Sequence, residues 1–106
     1  MSEETIMSVF QHHIGTFSGY AGYNLVFQSC RPSNTESKSV LIIVHGGSDY
    51  ADGIGYRWLA EHMAANGHAA YAYDQRGHGR SPGVRMHADN WHELIADLNA
   101  FIHFVR

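Results

Sequence analysis

The stretch that decides the fold is Val40-Leu-Ile-Ile-Val-His45-Gly46-Gly47. An apolar run, rich in β-branched residues, ends abruptly at a histidine and a pair of glycines. A short run of this kind predicts a strand covered on both faces, as in a parallel or mixed sheet with helices on each side. The glycines predict a tight turn whose bare backbone can approach a ligand closely.

A second strand and a second glycine-rich loop follow further along the chain. His68–Tyr73 predicts a strand, and the loop after it begins with Asp74-Gln-Arg76-Gly77-His78-Gly79-Arg80-Ser81. A helix is predicted between the two strands, over Gly55–Asn66, with Asn66-Gly67 as its C-terminal stop. A strand–helix–strand unit of this kind requires a right-handed crossover and a parallel sheet.

The remaining elements flank this unit. Upstream, two outer strands are predicted over residues 10–17 and 20–30, joined by a turn at Ser18-Gly19. Downstream, a second helix is predicted over Asn90–Val105, with a continuous apolar stripe on one face. The stripe comprises Trp91, Leu94, Ile95, Leu98, Phe101, Ile102 and Val105. The fold class is therefore α/β, with about four strands and two helices in a mixed sheet.

Composition narrows the class of protein. A chain of 106 residues with 44% hydrophobic and 16% charged residues is expected to form one small globular domain over residues 1–106. The net charge is −3 and the basic residues are scattered, so no nucleic-acid partner is expected. The sequence also lacks an apolar stretch long enough for a membrane span and an N-terminal secretory signal. A single cysteine, Cys30, favours a reducing compartment, and we expect a cytoplasmic protein.

The two glycine-rich loops resemble those of the α/β-hydrolase superfamily. His45-Gly46-Gly47 is similar to the His-Gly turn after the third strand of these enzymes. Asp74–Ser81 is similar to the Asp-x-Arg-Gly-His-Gly-x-Ser loop of the monoacylglycerol lipase, lysophospholipase and serine aminopeptidase-like branch. The resemblance covers nearly the whole chain and implies the N-terminal part of an α/β-hydrolase fold, left incomplete at Arg106.

The resemblance also implies a role for each loop. Gly47 is expected to donate one backbone N–H to an oxyanion, and loss of one such donor costs on the order of 10²–10³ in rate. A structural role near the site is expected for His45, Gly46, Asp74, Arg76, Gly77, His78, Gly79 and Ser81. The nucleophile, the acid and the catalytic histidine are expected beyond residue 106. The chain alone is therefore expected to be inactive.

One motif inside the second loop invites a different assignment. Gly79-Arg80-Ser81-Pro82-Gly83 matches Gly-x-Ser-x-Gly, the pattern of a nucleophile elbow. The residue after such a serine must donate a backbone N–H, and Pro82 has none. We therefore do not expect Ser81 to be the nucleophile. Asp97 and His103 lie on the second predicted helix and are interpreted as helix-surface groups that cannot complete a triad.

No metal and no cofactor are expected. The chain has nine histidines, but it has neither His-x-x-x-His nor a cysteine pair. His12 and His13 are adjacent, so on a strand their side chains point to opposite faces. The dinucleotide fingerprint also fails, because Pro82 stands where its third glycine would be.

Two functions follow as hypotheses. The first is that the chain is the N-terminal fragment of a serine hydrolase that acts on carboxylic esters, acylglycerol or lysophospholipid-like. A small-molecule ester is then expected as a substrate only of a full-length parent. The alternative is a non-catalytic binding or assembly module. In the α/β-hydrolase strand order Val40–Val44 would be an open apolar edge, a template for self-association or for complementation by a C-terminal half. Under the first hypothesis the resemblance implies a serine hydrolase, but the catalytic triad is absent from this chain.

Overall fold

The computed structural model describes residues 10–33, 36–46, 53–85 and 91–106. A short 3₁₀ turn, Tyr20–Gly22, precedes the second strand. The strands are β1 Phe10–Ser18, β2 Asn24–Pro32, β3 Val40–Val44 and β4 Ala69–Tyr73, and the helices are α1 Ile54–Ala65 and α2 Trp91–Val105. Within these ranges, neither helix has the length and apolar character that a membrane crossing requires.

The strands form one mixed sheet in the order β1-β2-β4-β3. β1 is antiparallel to β2, β2 is antiparallel to β4, and β4 is parallel to β3. In the parallel pair, Val40 lies opposite Ala69 and Val44 lies opposite Tyr73. The predicted mixed sheet is confirmed, and β3 is an end strand of it.

Small and large side chains alternate along β4, so the two faces of the sheet carry side chains of different size. Successive residues of a strand point to opposite faces. Ala70 and Ala72 pack with Ile43 in a small core that α1 covers, and their short side chains let the helix lie close to the sheet. Tyr71 and Tyr73 point to the opposite face, where they take part in the core beneath α2.

The larger core lies between the sheet and α2. Phe101 is fully buried, and its ring centroid lies 4.7 Å from that of Tyr73 and 4.7 Å from that of Phe17. Aromatic pairs at this separation add to the free energy that burial alone contributes. The buried members of this core are Phe17, Leu25, Phe27, Tyr73 and Phe101.

The end of α1 agrees with the sequence. The helix ends at Ala65, and Gly67 takes a φ of +94°, a conformation that only glycine adopts cheaply. The backbone N–H of Gly67 donates to the carbonyl of Ala64 at 3.1 Å. The predicted Asn66-Gly67 stop is therefore confirmed, and the chain turns directly into β4.

The predicted apolar stripe along α2 is wrong in its first half. Trp91 is 78% exposed and Ile95 is 55% exposed, whereas Asp97 is buried. Residues four apart share one face of a helix, so Asp97 and Phe101 face the protein together. Trp91 and Ile95 share another face, which turns outward.

The connection between β1 and β2 also differs from the prediction. A turn was expected at Ser18-Gly19 with the strand resuming at once, but Tyr20–Gly22 form the 3₁₀ turn before β2 begins. Tyr20 is held by distant parts of the chain. Its N–H donates to the Asp97 carboxylate at 2.9 Å, and its carbonyl accepts from Arg76 at 3.1 Å. These tertiary hydrogen bonds take the place of ladder bonds between the strands.

We expect Phe101→Ala to lower the free energy of unfolding by about 3–5 kcal/mol, because it empties the centre of the larger core. Ile95→Ala is the matched control, since Ile95 lies on the same helix and is 55% exposed. That substitution should cost less than about 0.5 kcal/mol. Urea denaturation followed by circular dichroism measures both losses, and equal losses would contradict this placement of α2.

Candidate functional site

The loops that follow β3 and β4 lie side by side, because the two strands are parallel neighbours and end at the same edge of the sheet. The first loop begins with His45 and Gly46, and the second comprises residues 74–81. Every residue that the sequence singled out here is described except Gly47, which lies outside the described residues. We call the junction of these two loops the loop corner.

His45 joins the two loops. It is buried, and its Nε2 accepts a hydrogen bond from the backbone N–H of Gln75 at 3.0 Å. A neutral imidazole whose Nε2 accepts carries its proton on Nδ1. That Nδ1–H donates to the carbonyl of Gly46 at 2.7 Å. The side-chain amide of Gln75 donates to the His45 carbonyl at 2.7 Å and lies 3.5 Å from Nδ1, too far to compete for that position.

Gly46 forms the exposed surface of the loop corner. Its N–H donates to the hydroxyl of Tyr56 on α1 at 3.1 Å. A Cβ built on Gly46 would meet only that hydroxyl, at 3.9 Å. The space beside the Gly46 Cα is therefore open among the described residues. His45 meanwhile holds the Gly46 carbonyl through its hydrogen bond.

His78 lies beside His45 without bonding to it. The two ring centroids are 5.1 Å apart, and the rings are tilted by 50°. Nδ1 of His78 lies 3.1 Å from the Arg76 carbonyl, within hydrogen-bond distance. Its placement agrees with a role in shaping the loop, and that role stays a prediction.

Ser81 is fully buried beneath the loop. Its hydroxyl donates to the Asp74 carbonyl at 2.5 Å and accepts from the backbone N–H of Val26 at 2.9 Å. The single hydroxyl proton is therefore used inside the protein. This geometry ties the loop to β2 and gives Ser81 no access to an external substrate.

Contacts between Asp74 and the residues around Gly79 hold the two ends of the loop 74–81 together. The buried Asp74 carboxylate accepts a hydrogen bond from the backbone N–H of Arg80 at 3.1 Å. Gly79 has a φ of +50°, and a Cβ built on it would lie 2.5–2.8 Å from the Asp74 carboxylate atoms. Only glycine fits this position. Across the loop, the N–H of Gly77 donates to the Pro82 carbonyl at 2.8 Å.

Arg76 and Asp97 form a buried ion pair beneath the loop corner. Their side chains are 3% and 1% exposed. Nε donates to one carboxylate oxygen at 2.7 Å and Nη2 donates to the other at 2.9 Å, the two-pronged geometry that suits arginine. Nη1 also donates to Glu93 at 3.2 Å, and the guanidinium lies 4.3 Å from the ring centroid of Tyr23.

This pair corrects the expected position of Asp97. The sequence suggested a helix-surface group, but the carboxylate is buried because Arg76 is there to neutralise it. Hydrogen bonding to Asp97 raises the pKa of the Arg76 guanidinium above its ordinary value. Burial raises the pKa of the Tyr73 hydroxyl to about 12, and the Asp97 charge adds to that shift. His103, by contrast, lies on the exposed face of α2 as expected.

One sequence signal pointed to the buried pair. Asp97 stands four residues before Phe101, on the face of the helix that must be buried. A carboxylate on such a face requires a cationic partner. The sequence offered no comparable signal for Gln75, whose contacts with His45 depend on the pairing of β3 with β4.

What the loop corner presents is fixed backbone rather than a reactive side chain. Gly46 is exposed and held from behind, and Ser81 is used structurally. Preorganised backbone N–H groups can stabilise negative charge without moving during a reaction, but the Gly46 N–H is already bonded to the Tyr56 hydroxyl and is not such a donor here. Within the described ranges, no cluster of three or more His, Cys, Asp or Glu side chains is arranged to hold a metal ion.

Known proteins resemble this chain in sequence over most of its length. The model of the serine aminopeptidase, S33 family matches residues 35–106. A monoacylglycerol lipase of Mycolicibacterium smegmatis is 32% identical over 87 residues, which cover 82% of this chain and 30% of the lipase. A monoglyceride lipase of Saccharomyces cerevisiae is 28% identical over 77% of this chain and 26% of its own length.

A solved structure also has a similar fold. A hypothetical protein of Pseudomonas aeruginosa superposes with a TM-score of 0.76 at 20% identity, over 92% of this chain and 31% of that chain. The likeness shows a shared fold. This chain spans less than a third of the length of the two lipases and of this solved protein.

We expect Arg76→Met to lower the free energy of unfolding by about 3–5 kcal/mol, because Asp97 is left buried without its partner. Arg76→Met/Asp97→Leu should recover most of that loss, since neither charge remains. Chemical denaturation of the variants measures both effects. Arg57→Met is the control, because the Arg57–Glu61 pair is exposed and should contribute less than about 0.5 kcal/mol. A double variant no more stable than Arg76→Met would count against the buried pair.

The ring of His45 should hold its proton on Nδ1. Long-range ¹H–¹⁵N spectra of the labelled chain distinguish a protonated nitrogen from an unprotonated one. We expect one tautomer for His45, with Nε2 unprotonated, and a mixture for the exposed His62. A proton on Nε2 of His45 would be inconsistent with its bond from the Gln75 N–H.

Proposed function

The chain belongs to the serine aminopeptidase, S33 family of α/β-hydrolases, and on that premise we propose that it forms the N-terminal part of a hydrolase of carboxylic esters. The observation that carries the proposal is the His45–Gly46 turn, locked against the loop 74–81 with its backbone exposed. In the proposed enzyme this loop corner supplies part of the oxyanion hole. The substrate class is an acylglycerol or a lysophospholipid, which the kinship with two monoacylglycerol lipases supports.

The proposed chemistry is acyl transfer through an acyl-enzyme. A serine supplied from outside these 106 residues attacks the ester carbonyl, and negative charge develops on the carbonyl oxygen. The backbone N–H of Gly47 donates to that oxygen and stabilises the transition state more than the ground state. This step requires neither a metal nor a cofactor.

His45 acts in this proposal as a positioning residue. Because a peptide unit is planar, holding the Gly46 carbonyl restricts rotation of the unit that carries the next N–H. The hydrogen bond that the carbonyl accepts also polarises that unit, which strengthens its N–H as a donor. Asp74, Arg76 and Ser81 keep the neighbouring loop in place and do not meet the substrate. The single cysteine, Cys30, favours a reducing compartment, and we propose a cytoplasmic setting.

A second candidate is a binding or assembly module that works through β3. The observation that favours it is the position of β3 at the end of the sheet, with Val40 52% exposed and Val44 45% exposed. An exposed apolar end strand is a template for pairing with another strand. This function requires no nucleophile and no substrate.

A chimera tests the hydrolase proposal. The 87 residues of this chain that match the Mycolicibacterium smegmatis lipase replace the corresponding segment of that enzyme. We expect the chimera to hydrolyse monoacylglycerol or lysophospholipid, and Gly47→Pro to lower its kcat by about 10²–10³, because proline lacks the donor N–H. Gly47→Ala keeps the N–H and should lose less.

Two controls make the outcome decisive. The 106-residue chain alone should show no turnover of p-nitrophenyl esters above background. A folded chimera that keeps its full rate with Gly47→Pro would contradict the oxyanion role. Activity of the 106-residue chain that Ser81→Ala abolishes would assign the nucleophile to Ser81 instead, and cleavage of aminoacyl anilides in preference to esters would reject the substrate class.

A further inference from the structure

Two peptide units flank Gly46, and side-chain hydrogen bonds hold both of them. The first unit is held at each of its polar groups. Its carbonyl, from His45, accepts a hydrogen bond from the side-chain amide of Gln75 at 2.7 Å. Its N–H, from Gly46, donates to the Tyr56 hydroxyl at 3.1 Å. In the second unit, the Gly46 carbonyl accepts from Nδ1 of His45 at 2.7 Å. Side chains therefore set the orientation of both peptide planes.

The backbone of Gly46 requires such support. Glycine is the residue whose φ and ψ are least restricted by its own atoms. Because each peptide unit is planar, φ and ψ of Gly46 are the free rotations between the two units. Fixing both units therefore fixes both dihedral angles. The second unit carries the N–H of Gly47, so a change in the first unit reaches that N–H through a single glycine.

We propose that Tyr56 is a positioning residue for the oxyanion hole. The inference rests on the proposed hydrolase function and adds to it a residue of α1. By accepting the Gly46 N–H, the phenol oxygen fixes the first peptide unit. It also occupies one of the two neighbouring N–H groups of this turn, so that the Gly47 N–H is the one that meets the ester oxygen. Tyr56 itself does not touch the reacting atoms.

The ring of Tyr56 is anchored independently of its hydroxyl. Tyr56 lies in the first turn of α1 and packs against the smaller core of Ile43, Ala70 and Ala72. The sheet therefore holds the ring, while the hydroxyl reaches the turn that follows β3. Removal of the hydroxyl should leave the ring in place, so Tyr56→Phe tests the hydrogen bond and not the packing.

Steady-state kinetics of the chimera tests the inference. We expect Tyr56→Phe to lower kcat on the order of 10-fold with KM unchanged, because a hydrogen bond that orients the donor is lost. Tyr71→Phe is the matched control, since it removes the same group from a tyrosine on the opposite face of the sheet, whose ring packs against Phe27 and Phe101. That variant should keep the rate of the chimera. A raised KM with unchanged kcat would place the Tyr56 hydroxyl on the bound ester and overturn the inference.

A double-mutant cycle shows whether Tyr56 acts through the Gly47 N–H. Once Gly47→Pro has removed that N–H, loss of the Tyr56 hydroxyl should lower kcat hardly further. Losses that multiply would mean that the two positions act independently, and the inference would be wrong. If Gly47→Pro keeps its full rate, the proposed function fails and this inference fails with it. If Gly47→Pro is slow and Tyr56→Phe is not, the inference fails alone.

Hydrogen exchange of the 106-residue chain gives a readout that does not depend on ester hydrolysis. Gly46 is exposed, and its N–H is bonded to the Tyr56 hydroxyl. We expect Tyr56→Phe to accelerate exchange of that N–H on the order of 10-fold, because the bond that protects it is lost. The N–H of Gln75, which donates to His45, should keep its exchange rate. Unchanged exchange at Gly46, or equal acceleration at Gly46 and Gln75, would overturn the inference.

Discussion

The buried ion pair between Arg76 and Asp97 is the constraint on which the arrangement of the chain depends. Taking both charges out of water is costly, and close two-pronged geometry with further hydrogen bonds offsets that cost. The guanidinium also donates to Glu93 and to the Tyr20 carbonyl. One side chain thus joins the loop after β4, helix α2 and the turn between β1 and β2, so none of the three can shift without breaking a buried or partly buried hydrogen bond.

Around this pair, the loop corner is built from side chains that bond to backbone groups. Ser81 ties the loop to β2, Asp74 holds the N–H of Arg80, and His45 holds the carbonyl of Gly46. Each side chain is buried and each uses its polar atoms within the protein. The result is a turn whose exposed backbone is held rigidly, which is what electrostatic stabilisation by backbone dipoles requires.

The same strand carries both candidate functions. The carboxyl end of β3 leads into the His45–Gly46 turn, while its outer edge lies open at the end of the sheet. The apolar character that lets β3 support the turn from beneath also leaves Val40 and Val44 partly exposed to solvent. Within the described residues, β3 has β4 as its neighbour on one side.

The sequence by itself determined the elements and the loop motifs, because those follow from local rules. Apolar runs and helical spacing located β3, β4 and both helices, and Asn66-Gly67 located the end of α1. Only the tertiary structure decided the burial of Asp97, the outward face of Trp91 and the turn at Tyr20. Asp97 meets Arg76 across 21 residues and Tyr20 across 77. The helical spacing of Asp97 and Phe101 hints that Asp97 is buried, but it does not identify Arg76 or Tyr20 as partners, because contacts across 21 and 77 residues form only once the chain is folded.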